Sequence, residues 1–231
     1  MSSRNLVLAA LGGVALLTVG TATGALAGVL SPPSFTAGAS FRGAISLVST
    51  DENTALLQGA EDFISDTARR GITFLSDTTL TETQRKKEFR TLLQDSFDMN
   101  TIGRFSLGRY WRVATAEEQK RYLELFRDMV VDVYSSRFSE YKGEKVEVRS
   151  SRAEGKTDVL VTSFIVPDGG GPEIQVDWRV RHKNNRYKVI DVIVEGVSMG
   201  VTQRSDFASV IQRGGGKVEV LLAHLEQQDS L

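Results

Sequence analysis

The order of periodicities along this 231-residue chain predicts an α+β domain. Three observations carry that expectation. Apolar residues recur at helical spacing from Thr54 to Phe138, the period changes to two beyond Gly143, and helical patterning returns after Ser198. The connections between the strand candidates are short, and a parallel pair would need a crossover of a dozen or more residues, so the strands form an antiparallel meander.

Taken in order, Thr54 to Ser76 places Leu57, Ala60, Ile64, Ala68, Ile72 and Leu75 on one helical face. Thr79 and Glu82 read as a capping box opening a second helix, whose apolar positions are Phe89, Leu92, Leu93 and Phe97. Met99 to Trp111 reads as a short aromatic-rich turn. Thr115 and Glu118 make a further capping box. It opens the most amphipathic helix, striped with Tyr122, Phe126, Met129, Val130, Val133, Tyr134 and Phe138. Four strands are expected, at 145–152, 157–166, 173–183 and 186–195. A glycine-rich segment from Pro167 to Pro172 joins the middle pair, and Asn184-Asn185 is a tight-turn signal joining the last two. The third strand alternates: Ile174, Val176, Trp178 and Val180 face one way, Gln175, Asp177, Arg179 and Arg181 the other. The fourth is apolar on both sides from Val189 to Val194, as a strand covered on both faces would be. Helices from Ser198 to about Arg213 and from Lys217 to Gln228, separated by Gly214-Gly215-Gly216, complete one domain at residues 54–231.

The segment before that domain differs in kind. Arg4, the uncharged apolar run Leu6 to Val19 and the small residues of Ala25-Leu26-Ala27 have the layout of a secretory signal peptide, 1–27. An uncleaved anchor is the alternative, because the uncharged stretch continues to Leu30; either way the remainder lies outside the cytoplasm. Residues 28–53, rich in Ser, Gly, Ala and Thr, cannot bury enough apolar surface to offset their ordering entropy and read as a flexible leader.

Bulk composition removes several function classes. A net charge of −1 lacks the basic field that phosphate neutralisation needs, so a nucleic-acid binder is not expected. The absence of cysteine excludes a disulfide framework, thiolate metal sites and cysteine nucleophiles. Gly196-Val197-Ser198-Met199-Gly200 matches the nucleophile-elbow pattern, with Asp206 and His224 following in hydrolase order. Yet that elbow belongs in a parallel sheet, and Ser198 reads more simply as a helix N-cap. His182 sits among basic residues near a turn, and two isolated histidines give no metal-ligand spacing. Gly214-Gly215-Gly216-Lys217 fails as a phosphate loop, because Ile211 and Val218 occupy required positions. Asp177 and Asp191 are carboxylates that a cone of sheet and helix could use for acid–base chemistry, and both also read as polar members of alternating strands. Arg85, Lys86, Lys87 and Arg90 read as a solvated helix face, with partner docking or phospholipid head-group attraction as the alternative.

Two separated motifs carry a family resemblance. Phe97-Asp98, Leu107-Gly108-Arg109-Tyr110-Trp111 and the helix through Phe126 and Tyr134 form one; the run from Asp191 through Val194-Glu195-Gly196-Val197-Ser198 to Arg204-Ser205-Asp206-Phe207-Ala208-Ser209-Val210-Ile211 forms the other. Together, over roughly 54–228, they resemble the MlaC (toluene-tolerance) family of periplasmic phospholipid-binding proteins, departing in the long leader and in Gly200, where a bulkier residue is usual. The resemblance implies a nuclear-transport-factor-like four-stranded sheet wrapped by helices around an apolar cavity for phospholipid acyl chains. It also implies a non-enzymatic carrier without cofactor. Such a carrier shuttles lipid across the periplasm between an outer-membrane lipoprotein complex and the substrate-binding ring of an inner-membrane ABC transporter, maintaining outer-membrane asymmetry. Candidate cavity residues are then Phe97, Phe105, Tyr110 and Trp111 around the aromatic segment, with Phe126, Met129, Val130 and Tyr134 on the amphipathic helix. Phe164, Val176, Trp178, Val192 and Val194 are the strand candidates, and Met199 and Phe207 those of the following helix. A lipid-active hydrolase using Ser198 and a cavity-free envelope adaptor are the competing classes.

Overall fold

In the computed structural model, residues 50–229 are described; the expected signal peptide 1–27 and most of the expected leader 28–53 fall outside them. Helix α1 spans Thr50–Ser76, starting before the first apolar position because its first turn is polar and a hydrophobic stripe registers only the buried side. Helix α2 spans Glu82–Ser96, and its capping box is Thr81–Gln84 rather than the expected Thr79–Glu82. Two overlapping T-x-x-E/Q patterns compete here. Asp77 takes both the backbone N–H (2.8 Å) and the hydroxyl (2.6 Å) of Thr79, which leaves Thr81 to cap. Its hydroxyl accepts from the Gln84 N–H at 3.2 Å while the Gln84 amide oxygen accepts from the Thr81 N–H at 2.8 Å.

The expected aromatic turn is instead helix α3, Met99–Leu107, followed by a 3₁₀ turn, Gly108–Arg112. The Asp98 carboxylate caps α3 by accepting the Thr101 N–H at 2.9 Å. Gly103, which lowers helix propensity, is used for packing: a Cβ there would lie 2.8 Å from Leu123 and 3.1 Å from Phe126. Helix α4, Ala116–Ser135, opens on the expected Thr115–Glu118 box.

Strands β1 (Lys145–Glu154), β2 (Asp158–Val166), β3 (Ile174–Lys183), β4 (Arg186–Val194) and β5 (Val197–Ser198) form one antiparallel sheet in that order. Five strands replace the four expected. The fifth arises because Glu195 and Gly196 both adopt positive φ (50° and 80°), reversing the chain so that Val197 and Ser198 pair with Val194 and Ile193. Asn184 and Asn185 do the same between β3 and β4, at φ 53° and 57°. The two-sided apolar pattern of β4 is explained by a bulge. Val189 pairs with Val180 and Asp191 with Arg179, so Ile190 is the extra residue and the alternation changes phase. Val189, Val192 and Val194 thereby share one sheet face, opposite Val180, Trp178 and Val176. Helices α5 (Met199–Arg213) and α6 (Val218–Asp229) end the fold.

Two cores result. Helix α1 covers one end of the sheet, packing Ala60 and Ile64 on Val159, Val161, Val180 and Val189. Helices α3 to α6 build the other around Tyr122, Phe126, Phe207 and Leu222. Gly59 on α1 lets the Tyr187 ring lie against the helix backbone: an added Cβ would sit 2.4 Å from its Oη and 2.8 Å from its Cζ. That ring is held between Phe63 and His182, at 6.0 and 4.4 Å between centroids, so it has little room to yield. Gly59→Ala is therefore expected to lose about 1–3 kcal/mol through overpacking, more than the ~1 kcal/mol gained in helix propensity. Urea unfolding checks this, and a variant more stable than the native protein would contradict it.

Candidate ligand-binding site

The two cores meet through side chains that are only half-buried. Phe97, the residue after α2, packs against both the helical cluster and the α1–sheet cluster, and its ring stands edge-on to Trp178 at 6.5 Å. Trp178 and Val192 in turn bridge to a third cluster at the far end of the sheet, where Ile174, Val176 and Val194 are buried and Ile165 and Met199 partly so. The Trp178 indole N–H donates to Ser163 Oγ at 2.9 Å, and Ser163 donates to the Val176 carbonyl at 3.1 Å. With its polar atom satisfied, the indole offers an apolar surface. On the helical side Met129, Val130, Ile102 and Trp111 are half-buried at the margin of the cluster. Burial pushes the Tyr134 phenol upward, which keeps it neutral there.

The predicted residues separate on this frame. Phe97, Trp178 and Val192 lie at the junction; Met129, Val130, Trp111 and Met199 border it. Val176 and Val194 are buried in the sheet, and Tyr110, Phe126 and Phe207 in the helical core. Tyr134 is half-buried on α4. Two do not join them. Phe164 pairs with Gln175 on the opposite sheet face, under the Arg149 guanidinium at 4.2 Å. Phe105 is exposed beneath Arg204. Ile102, Ile165 and Ile174 were missed as candidates, although Ile165 and Ile174 are directly paired and share the face of Val176.

The polar candidates are engaged elsewhere. Ser198 Oγ accepts the Val201 N–H at 3.1 Å as the N-cap of α5 and donates to the Asp191 carboxylate at 2.7 Å. Asp191 also accepts the Gly200 N–H at 3.1 Å. Both Asp191 and Ser198 are thus committed to fastening the start of α5 to β4. His182 stacks on Tyr187, and His224 contacts Gln228, so neither supplies a base to Ser198. Asp177 accepts from Thr162 at 2.6 Å and Gln175 at 2.9 Å on the polar sheet face. Half of the basic run on α2 is an interhelical seam, with Lys86 paired to Asp132 and Arg90 to Asp128 at 2.6 Å. Arg85 donates to the Asp77 carbonyl in the α1–α2 connection at 3.0 Å, and Lys87 is exposed as a solvated face would have it. No group of three metal-binding side chains occurs among the described residues. Ser198→Ala should cost about 1 kcal/mol of stability by removing the cap; chemical denaturation checks it, and an unchanged midpoint would show the cap to be idle.

The model of the MlaC protein family matches residues 66–227. The chain belongs to the MlaC family. It is 22% identical over 127 residues to the intermembrane phospholipid transport system binding protein MlaC of Haemophilus influenzae, covering 54% of this chain and 58% of that protein. It is 27% identical over 111 residues to the toluene tolerance protein ttg2D of Pseudomonas putida, covering 48% and 51% respectively. The chain thus spans little more than half the length of these curated relatives. A solved phospholipid-binding protein from Ralstonia solanacearum, in complex with a phospholipid, shares the fold at a TM-score of 0.64 and 24% identity, over 74% of this chain and 97% of that one. No helix among the described residues is long and apolar enough to cross a membrane.

Proposed function

We propose that this MlaC-family chain is a periplasmic phospholipid carrier, holding acyl chains at the junction of sheet and helices. The observation that carries the reading is the half-buried apolar surface formed by Phe97, Trp178 and Val192 where three clusters meet, in a fold shared with a phospholipid-bound protein. A nuclear-transport-factor-like plan, a sheet with helices on one face around an apolar interior, fits this reading and would hold lipid with neither cofactor nor catalytic group. Sequestering two acyl chains at about 0.8 kcal/mol per methylene gives a gross stabilisation on the order of 25 kcal/mol. Release into water is then extremely slow, so cargo changes hands in contact with partners: an outer-membrane lipoprotein complex on one side, the ring of an inner-membrane ABC transporter on the other. The name of the Haemophilus influenzae relative, an intermembrane phospholipid transport system binding protein, supports a transport role of this kind. Native mass spectrometry of the protein as recovered from cells is the test. Co-purifying phospholipid at near one per chain is expected, whereas protein that stays empty after gentle purification and incubation with lipid would leave only an adaptor.

A further inference from the structure

At the corner where α3 and its 3₁₀ turn meet the start of α5, cationic and apolar groups are concentrated in a way the lipid junction does not use. From Met99 to Ala116 the sequence has no acidic residue and carries Arg104, Arg109 and Arg112; from Gly196 to Ser205 it has none and carries Arg204. The segments touch. Arg204 lies over the Phe105 ring at 5.5 Å and fills the space where a Cβ on Gly108 would sit, 2.7 Å from its Nε, while a Cβ on Gly200 would meet the Phe105 ring at 3.1 Å. Elsewhere arginines such as Arg90, Arg121 and Arg181 are neutralised by carboxylates. These four make no ion pair among the described residues, and all are exposed. Three are held by rings instead: Arg104 over Trp111 at 5.1 Å, Arg109 over Tyr110 at 4.9 Å, and Arg204 over Phe105. The Asp191 carboxylate, which borders the same space at Gly200 as Phe105, is already taken by Ser198 and Gly200.

Between and beside the arginines stand the most exposed large apolar side chains of the fold: Phe105 at 42%, Val197 at 49% and Val201 at 55%, with Val113 at 71% at the end of the 3₁₀ turn. Exposed apolar groups flanked by uncompensated arginines match a boundary that supplies both anionic phosphates and soft hydrocarbon, and ask for no rigid counter-surface. We infer that this corner docks the protein directly on an anionic phospholipid bilayer. Met199 ties the corner to the sheet end of the apolar junction, so docking would set the candidate lipid site beside the membrane. The inference extends the carrier reading but does not depend on it, since surface binding requires no cargo.

Sedimentation with vesicles tests it, using the full chain as recovered from cells. Phosphatidylcholine vesicles are compared with vesicles containing about 30% phosphatidylglycerol at low salt. Any insertion by the uncharged apolar run Leu6 to Val19 occurs with both compositions, so only the anionic increment is read. That increment should be on the order of several hundredfold for the four arginines and should collapse at high salt. The double variant Arg104→Gln/Arg204→Gln should weaken it about 25-fold, at about fivefold per charge. Arg112→Gln, at a residue with no described side-chain partner to lose, should weaken it about fivefold and guards against a folding artefact. Equal binding to both compositions overturns the inference and leaves the corner to an acidic protein surface; so does an increment that survives in both variants. Loss of co-purified lipid would instead bear on the carrier reading alone, because the vesicle increment is measured separately.

Discussion

Replacing Phe126 by alanine is expected to remove about 3–5 kcal/mol of folding stability, a large share of the 5–15 kcal/mol available to a domain of this kind. Phe126 is 2% exposed, stacked on Tyr122 at 5.8 Å and edge-on to Phe207 at 6.3 Å, with Tyr122 and Phe207 themselves in contact at 5.9 Å. Tyr122 donates its hydroxyl to the Gly103 carbonyl at 2.9 Å, and its burial holds the phenol well above its ordinary pKa. The triangle thus joins α3, α4 and α5, and a void there cannot close by moving one helix. Phe105→Ala, on a ring 42% exposed beneath Arg204, is the milder comparison and should cost about 1 kcal/mol. Urea unfolding reads both. A Phe126→Ala loss under about 1 kcal/mol would mean that Phe126 borders open space rather than core.

The second large effect concerns cargo. Val176→Trp and Val130→Trp add similar bulk but are expected to part ways. Val176 is 1% exposed among Ile174 and Val194, so a tryptophan must displace packed neighbours, at a cost of about 1–3 kcal/mol or more. Val130 is half-buried beside Met129 on the margin of the helical cluster. Tryptophan there should occupy acyl-chain space, removing most bound phospholipid while the melting temperature changes by only a few degrees. Lipid per chain by mass spectrometry, set against the thermal midpoint for each variant, decides it. Retention of lipid by folded Val130→Trp would move the acyl chains away from α4.

Local chemistry made some of these elements readable in advance. The Thr115–Glu118 box and the Asn184-Asn185 turn depend on contacts within a few residues, and both formed as their side chains dictate. Thr79 failed as a cap for an equally local reason that pattern matching does not weigh, since Asp77 was a better partner. Other features needed the whole sheet. The extra residue at Ile190 and the two-residue strand β5 are register properties, visible only once β3 and β4 are paired. The same holds for the candidate site. Alternation placed Val176, Trp178 and Val180 on one face, but only pairing with Gln175 put Phe164 on the other. Hydrophobicity alone could not tell Phe105, which lies under an arginine in solvent, from Phe97, which joins two cores. Nor could Lys86 and Arg90 on α2 be read as a seam before Asp132 and Asp128 of α4 were set opposite them.

The far side of β4 has a further consequence, for self-association. A strand ending a sheet ordinarily leaves a row of N–H and C=O groups that can template a strand from another molecule. Here that row is interrupted along its length. Phe97 makes a parallel bridge to Val189, with the Asp98 N–H donating to the Val189 carbonyl at 2.9 Å; the bulge at Ile190 twists the middle; and Val197 and Ser198 occupy the positions opposite Val194 and Ile193. Lys188 extends the block by donating through Nζ to the Gln94 carbonyl at 2.9 Å. The segments that close this edge are the ones that attach the helices to the sheet, so the same contacts that assemble the domain deny β4 to edge-to-edge polymerisation.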